Sequence, residues 1–262
     1  MDKINQNIYQ ITHLCKITMR PIIKILIEHK SGKKYPVKTL EEDFHTSSGI
    51  ITAKDMQSTK TTLTSSKGEK FILIDPTFAD LWEQLQRGPQ VLIQKDIGLI
   101  IVKTGVNQNS LVVDAGGGSG SLCLSLANVC KEITVYETNP EHYDIIAKNA
   151  LLFNIKNIIL KQANIYQGIP EQNVDLITLD LPEPWQVTKH AEQSLKTGGF
   201  LVVYLPNLHQ VKTFIDSTNR TQIAVIETIE LLERKWKIDD KIMRPEFDML
   251  GHTGFLTFCR KW

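Results

Sequence analysis

The sequence has little of what marks a membrane, secreted or metal-binding chain. Its four cysteines, Cys15, Cys123, Cys130 and Cys259, form no C-x-x-C pair and have no histidine partners at ligand spacing, which predicts no metal site and no redox motif. Cys123 and Cys130 lie seven apart in a run that reads helical, where both act as small core hydrophobes. No apolar stretch approaches membrane-spanning length, because those at 22–27 and 99–102 are short and bounded or broken by charge. The first residues, rich in Asn, Gln and Lys, lack the basic, apolar, small-residue order of a signal peptide, so a cytoplasmic protein is expected. An excess of one charge is missing as well. With 30 Lys+Arg against 29 Asp+Glu, the balance argues neither for nor against nucleic acid.

What is present suffices for one large domain or two smaller ones, since 42% of the 262 residues are hydrophobic and 23% charged. Residues 1–90 carry 13 Lys/Arg against 10 Asp/Glu, and Lys30, Lys33, Lys34 and Lys38 form a local basic cluster. That cluster reads first as a solvated face and only second as a phosphate grip. Residues 1–18 show no period and read as a tail, with Met19 a second candidate start. Residues 19–75 read as a small β-rich domain with strands at 23–28, 34–38, 49–52 and 71–74, and the Ser/Thr run at 58–66 as a flexible loop. Within 76–90 a linking helix over 77–87 places Phe78, Leu81, Trp82 and Leu85 on one face.

Over 91–262 strands and helices alternate, which predicts an α/β domain with a mostly parallel sheet and helices on both faces. Strands are expected at 111–114, 133–137, 157–161, 174–180 and 199–205, with 223–234 and 252–258 completing the sheet. Helices are expected at 121–130, 141–153, 185–195 and 208–216. In such a sheet the ligand lies beyond the carboxyl ends of the strands, at the switch in strand order.

The residues at those ends agree chemically. Residues 112–120, Val-Val-Asp-Ala-Gly-Gly-Gly-Ser-Gly, run from a strand through an acidic residue into a glycine loop, where Gly116, Gly118 and Gly120 let a ligand approach the backbone. The spacing G-x-G-x-G is not the dinucleotide fingerprint. Glu137, some twenty residues on, suits the two hydroxyls of a ribose, although a helix cap or surface carboxylate has the same look. Asn164 fits either the edge of an adenine or an ordinary turn. Asp180 ends an apolar strand and precedes two prolines in Leu-Asp-Leu-Pro-Glu-Pro-Trp, which favours a site role over a solvated face. Tyr204, at the end of the next strand, reads equally as a stacking residue or as core.

Taken in order, these residues resemble a class I S-adenosylmethionine-dependent methyltransferase, and more narrowly the archaeal-type TrmI family of tRNA (adenine-N1)-methyltransferases acting on adenosine 58 of the T loop. The resemblance runs from about Lys24 onward. Residues 43–50 are similar to the family's amino-terminal β module, and Asp75-Pro76-Thr77 with Gln86-Arg87 to its linking helix. Gln94-Lys95-Asp96-Ile97, Asp180-Leu181-Pro182-Glu183-Pro184-Trp185, Tyr204-Leu205-Pro206-Asn207, Arg244-Pro245 and Gly251-His252-Thr253-Gly254-Phe255-Leu256 resemble later family motifs. The resemblance implies S-adenosylmethionine bound by Gln94, Asp114, Ala115, Gly116, Gly118, Ser119, Gly120, Glu137, Asn164, Ile165 and Asp180. It implies catalysis by Asp180, substrate contacts from Tyr204, Pro206, Asn207, Arg244 and His252, no metal, and tRNA gripped partly by the amino-terminal module.

A homotetramer is also implied, for which Trp82, Trp185, Trp236 and Trp262 offer either interface or core area. The chain departs from the family at Asp114 and Gly117, where Glu-Ala-Gly-Thr-Gly-Ser-Gly is usual, at Asn164, where an acid is frequent, and at Ile93-Gln94, in place of Tyr-Pro. Two alternatives stay open: a non-catalytic tRNA-binding subunit, and a methyltransferase with another substrate.

Overall fold

The computed structural model describes residues 20–86, 88 and 91–262, so the expected tail at 1–18 and Arg87 at the end of the expected linking helix lie outside the described residues. Contacts divide the chain into two units. The first runs to Gln86 and takes in Ala147–Lys156; the second holds the residues up to Ile146 and from Asn157 onward.

The first unit is built on an antiparallel sheet of β1 (Lys24–Glu28), β2 (Lys34–Val37), β5 (Thr62–Thr64) and β6 (Lys70–Ile74), in the order β2-β1-β6-β5. A hairpin of β3 (Phe44–Thr46) and β4 (Gly49–Ile51) and a single helical turn α1 (Ala53–Met56) stand between β2 and β5. The core is Leu26, Val37, Ile51, Met56, Leu63, Phe71 and Leu73. Strand β5 corrects the expectation of a loop at 58–66: Leu63, flanked by two β-branched threonines, pairs with Phe71 and buries its side chain.

Helix α2 (Phe78–Glu83) is shorter than the expected 77–87 because Thr77 is its cap, in a reciprocal capping box with Asp80. Lys34 holds Asp80 at 2.8 Å and lowers its carboxyl to about 2. Lys34 therefore serves this unit's own fold and not the basic cluster. Residues of 147–156 join this unit through the Ile22 N–H donating to the Leu152 carbonyl (3.0 Å) and through the Asn149 amide pairing with the backbone of Gln86.

The second unit carries a seven-stranded sheet in the order β12-β15-β11-β10-β7-β8-β9, from β7 (Leu111–Ala115), β8 (Glu132–Glu137), β9 (Ile158–Gln162), β10 (Val174–Leu179), β11 (Leu195–Leu205), β12 (Ile223–Glu230) and β15 (Phe255–Lys261). Strands β7 to β11 are parallel, and β15 runs antiparallel between β11 and β12. The chain passes from β7 outward through β8 and β9, then crosses to β10 and β11 on the other side, so the switch in strand order falls between β7 and β10. One face buries Val113, Ala115, Ile177, Leu179, Leu201, Val203 and Leu205 in a single core.

The helices are α3 (Gln94–Thr104), α4 (Ser121–Ala127), α5 (Pro140–Leu152), α6 (Thr188–Ser194) and α7 (Leu208–Thr218). Helix α3 was not among the expected elements. It has no side-chain cap at Ile93, buries Ile97 and Ile100 one turn apart, and is closed by Gly105 at φ 64°. The expected helix 185–195 divides into a 3₁₀ turn at Pro184–Gln186 and α6, and β11 follows α6 directly from Leu195. The last strand begins at Phe255 instead of 252, which leaves His252, Thr253 and Gly254 in the segment before it. A further hairpin, β13 (Trp236–Ile238) with β14 (Met243–Pro245), lies between β12 and β15.

Candidate active site

Sheet register assembles the site. Ala115 is paired with Tyr136 and with Leu179, and Leu179 with Val203. The next residue on each strand therefore stands in one row at the carboxyl edge: Glu137, Gly116, Asp180 and Tyr204. The Gly116 N–H donates to the Tyr136 carbonyl (3.1 Å) and the Asp180 N–H to the Ala115 carbonyl (2.9 Å), which carries the ladder one step past the strands.

Gly116 is required in this row. Its φ is 83°, and a Cβ there would lie 2.0 Å from the Asp180 carbonyl oxygen, so the glycine turn and the Asp180 backbone touch. Gly117, which departs from the family pattern, fits between Ile146 and Val135, whose side chains a Cβ would meet at 2.6 and 2.9 Å. The Gly118 N–H donates to Glu137 Oε2 (3.0 Å) and the Asn139 N–H to Glu137 Oε1 (2.8 Å). Glu137 is thus held rigidly by two backbone donors, and each oxygen keeps acceptor capacity for a pair of ligand hydroxyls.

Beneath the turn, Asp114 is buried and accepts the Thr178 hydroxyl at 2.5 Å. Burial, aided by the Asp180 and Glu137 carboxylates, pushes it up to about 7. Asp180 is half-buried, and burial raises its carboxyl to about 6.

A cleft of about 170 Å³ opens beside this row, lined by Ala115, Gly116, Glu137, Asn164, Ile165 and Tyr166 among others. Asn164 caps the 3₁₀ turn Ile165–Gln167 with its Oδ1, accepting from the Tyr166 N–H (3.0 Å), and Ile165 is a buried wall. Ser119 is buried within the loop, Gly120 precedes α4 at φ 89°, and Gln94 is exposed as the first residue of α3.

Tyr204 shares its sheet face with Asp180 and is buried; the Gly254 backbone lies against its ring, where a Cβ would stand 2.5 Å from Cζ. Asn207 caps α7 through its Oδ1, which accepts from the Gln210 N–H (3.0 Å), and exposed Pro206 precedes it. His252 reaches this loop, with Nε2 2.7 Å from the Pro206 carbonyl and Nδ1 2.5 Å from Glu230 Oε1. Both partners are acceptors, and the hydrogen bond to Glu230 raises the pKa of His252. Arg244 belongs to the β13–β14 hairpin, where its guanidinium donates to the Pro245 carbonyl and stacks 3.7 Å over the Phe247 ring.

The sequence places Lys95, Asp96 and Thr253 in family-like motifs without giving any of them a role; in the structure they close a part-buried triangle of hydrogen bonds. The legible signal was an Asp-bearing Lys-Asp pair ahead of an apolar helical run.

Residues 70–244 match the family described as the tRNA methyltransferase complex GCD14 subunit. The chain belongs to this family. Among curated relatives it is 33% identical to the tRNA (adenine(57)-N(1)/adenine(58)-N(1))-methyltransferase TrmI of Methanocaldococcus jannaschii, over 90% of this chain and 94% of that one. It is 29% identical to the tRNA (adenine(58)-N(1))-methyltransferase TrmI of Thermus thermophilus, over 74% and 78%. Two solved structures share the fold: a SAM-dependent O-methyltransferase from Thermotoga maritima (TM-score 0.78, 25% identity, 93% and 94% covered) and the tRNA (m1A58) methyltransferase TrmI from Aquifex aeolicus (TM-score 0.73, 24% identity, 94% and 99% covered). The second unit of this GCD14-family chain is a class I methyltransferase fold.

Proposed function

We propose that the chain transfers a methyl group from S-adenosylmethionine to N1 of adenine 58 in the T loop of tRNA. The observation that supports this best is the row Glu137, Gly116, Asp180 and Tyr204 at the switch point, in a chain 33% identical to a TrmI enzyme over nearly its whole length.

The residues fit S-adenosylmethionine on their own chemistry. Gly116 has no room for a side chain, Glu137 offers fixed acceptors for a diol, and Asn164 and Ile165 wall the cleft where an adenine edge would lie. Asp114, Ala115, Gly118, Ser119 and Gly120 complete the turn, and Gln94 stands at the start of α3. When bound, S-adenosylmethionine supplies an electrophilic methyl group on a sulfonium.

The chain's own task is positioning and charge. N1 of adenine attacks with a lone pair and loses no proton, so the purine becomes cationic. Asp180, whose pKa near 6 leaves it mostly ionised at neutral pH, stabilises that charge and accepts from the N6 amino group. Tyr204 flanks the extruded base, and Pro206 and Asn207 shape the loop beside it. His252 holds that loop in place through Pro206, and Arg244 on its hairpin is a candidate RNA contact.

The first unit, with Lys30, Lys33 and Lys38 exposed, would grip tRNA backbone. No helix among the described residues is long and apolar enough to cross a membrane, and we assign the reaction to the cytoplasm. A homotetramer is supported by apolar side chains left exposed on the β13–β14 hairpin.

The test is incubation of the purified protein with labelled S-adenosylmethionine and an unmodified tRNA transcript, followed by digestion and mass spectrometry. We expect 1-methyladenosine at position 58, with any product at 57 read in the same experiment. Asp180→Asn should slow formation by roughly 10²–10³-fold while tRNA binding persists. No incorporation, together with no binding of S-adenosylmethionine, would make the chain a non-catalytic tRNA-binding subunit.

A further inference from the structure

We propose that three turns at one end of the first unit's sheet form a single phosphate-binding face for RNA, carried by Lys30, Lys33, Lys67 and Lys70, and that residues 46–50 hold the Lys67 turn in place. The inference rests on the tRNA reading above and deepens it by naming the end of the unit that meets the sugar–phosphate strand.

Strand register brings the turns together. Glu28 is paired with Phe71, and Thr64 with Lys70, so the β1–β2 turn (29–33) and the β5–β6 turn (65–69) leave the sheet at the same end. The His29 N–H donates to the Lys70 carbonyl at 2.9 Å and ties the two. The β3–β4 turn lies against the second of them. There the Ser66 N–H donates to the Ile50 carbonyl (2.8 Å), the Ile50 N–H to Ser66 Oγ (3.0 Å) and Ser65 Oγ to the Ser48 carbonyl (2.6 Å). Gly49, at φ 111°, permits the approach, since a Cβ there would stand 2.9 Å from Ser65 Oγ and 3.0 Å from the Lys67 nitrogen. Lys67 Nζ donates to the Ser47 carbonyl at 3.2 Å, which steadies the side chain and leaves its other two protons for a ligand.

Charge completes the face. Lys30, Lys33, Lys67 and Lys70 are exposed, and among the described residues none is paired with a carboxylate, whereas Lys24 and Lys34 of the same unit are held by Asp75, Asp80 and Glu83. Glu28, beside the turns, is buried and accepts the Ser31 hydroxyl. Exposed carboxylates gather at the opposite end, with Glu41, Glu42 and Asp43 beyond β2 and Asp75 beyond β6. Free cations among hydroxyls and backbone suit a strand of phosphates. The three turns contain no apolar residue, so they lack the buried area that a lipid surface would need.

The experiment measures binding of an unmodified tRNA transcript to the full chain by fluorescence anisotropy, between about 50 and 200 mM salt. Lys67→Gln with Lys70→Gln should weaken binding about tenfold at the lower salt and cut the slope of log affinity against log salt by roughly 1–2. Lys60→Gln, just before β5 at the opposite end, should leave both unchanged. Ser66→Ala, which loosens the supported turn, should weaken binding about threefold, and should add little where Lys67→Gln is already present. Melting temperatures check that each variant folds.

An unchanged salt slope in the Lys67→Gln, Lys70→Gln variant, or an equal loss from Lys60→Gln, overturns the proposal. Ser66→Ala losses that add in full to those of Lys67→Gln overturn the role given to residues 46–50. Binding to phosphatidylserine-containing vesicles that depends on these lysines, with tRNA binding indifferent to them, overturns the RNA face in favour of a lipid surface. Should the double variant fail to fold, Lys30→Gln with Lys33→Gln must lower the slope, and its failure to do so overturns the proposal as well. A wild type that binds tRNA through these lysines and transfers no methyl group overturns the proposed reaction alone, whereas an active wild type whose tRNA binding ignores them overturns this inference alone.

Discussion

Asp114 and Asp180 lie on adjacent strands and titrate high for the same leading reason, burial, which raises one to about 7 and the other to about 6. Both folded pKa values exceed the ordinary aspartate value near 4, so folding favours the protonated forms. Their contribution to stability is complete below about pH 4 and is lost as pH rises through about 6 and about 7. We expect the melting temperature of the unliganded protein to decline across that window more steeply than that of an Asp114→Asn, Asp180→Asn double variant; parallel curves would refute the assignment. Activity moves the opposite way. If Asp180 acts as a carboxylate, the methylation rate rises with pH through about 6 with a one-proton inflection. A pH-rate profile on tRNA with no inflection in that range would remove its titration from the mechanism.

Between the strands and the helices, the glycine turn is the element on which the cleft depends. Gly116→Ala should abolish binding of S-adenosylmethionine, since its Cβ would collide with the Asp180 backbone at 2.0 Å and neither partner is the end of a flexible chain. Gly118→Ala, at φ 54° and with its nearest neighbour 3.8 Å away, pays only the left-handed backbone cost of about 1–2 kcal/mol and should keep binding. Isothermal titration on both variants checks the contrast, and equal losses would show that space at Gly116 is not what matters. The turn was legible in the sequence because it is local: an apolar strand, an acid and closely spaced glycines fall within nine residues. The positions of Glu137 and Asp180 were legible for the same reason, each ending an apolar run. Helix α3 and strand β5 were not, since α3 lacks a capping side chain and β5 has a single inward residue, Leu63. The Lys95–Asp96–Thr253 triangle was hidden by distance along the chain, with Asp96 and Thr253 separated by 157 residues and joined only by the fold.

Across the whole molecule, the least covered apolar surface is the β13–β14 hairpin and the segment after it, where Ile238, Met243 and Phe247 are 72%, 81% and 84% exposed. So much exposed apolar area on a two-stranded hairpin fits contact with further copies of the chain better than contact with water. If the chain forms the proposed homotetramer through this surface, Met243→Asp with Phe247→Asp should lower it to monomers or dimers in sedimentation velocity, and no change in sedimentation would exclude the hairpin from such an interface. The insertion of β15 between β11 and β12 has a consequence for the order in which the enzyme is made. Strands β7 to β12 leave the ribosome before it, yet a gap one strand wide stays open in their sheet, and the Gly254 backbone that lies against the Tyr204 ring is still untranslated. A nascent chain released before residue 255 carries every residue of the glycine turn and Asp180, but it has an unzipped β-edge that invites degradation or misassembly.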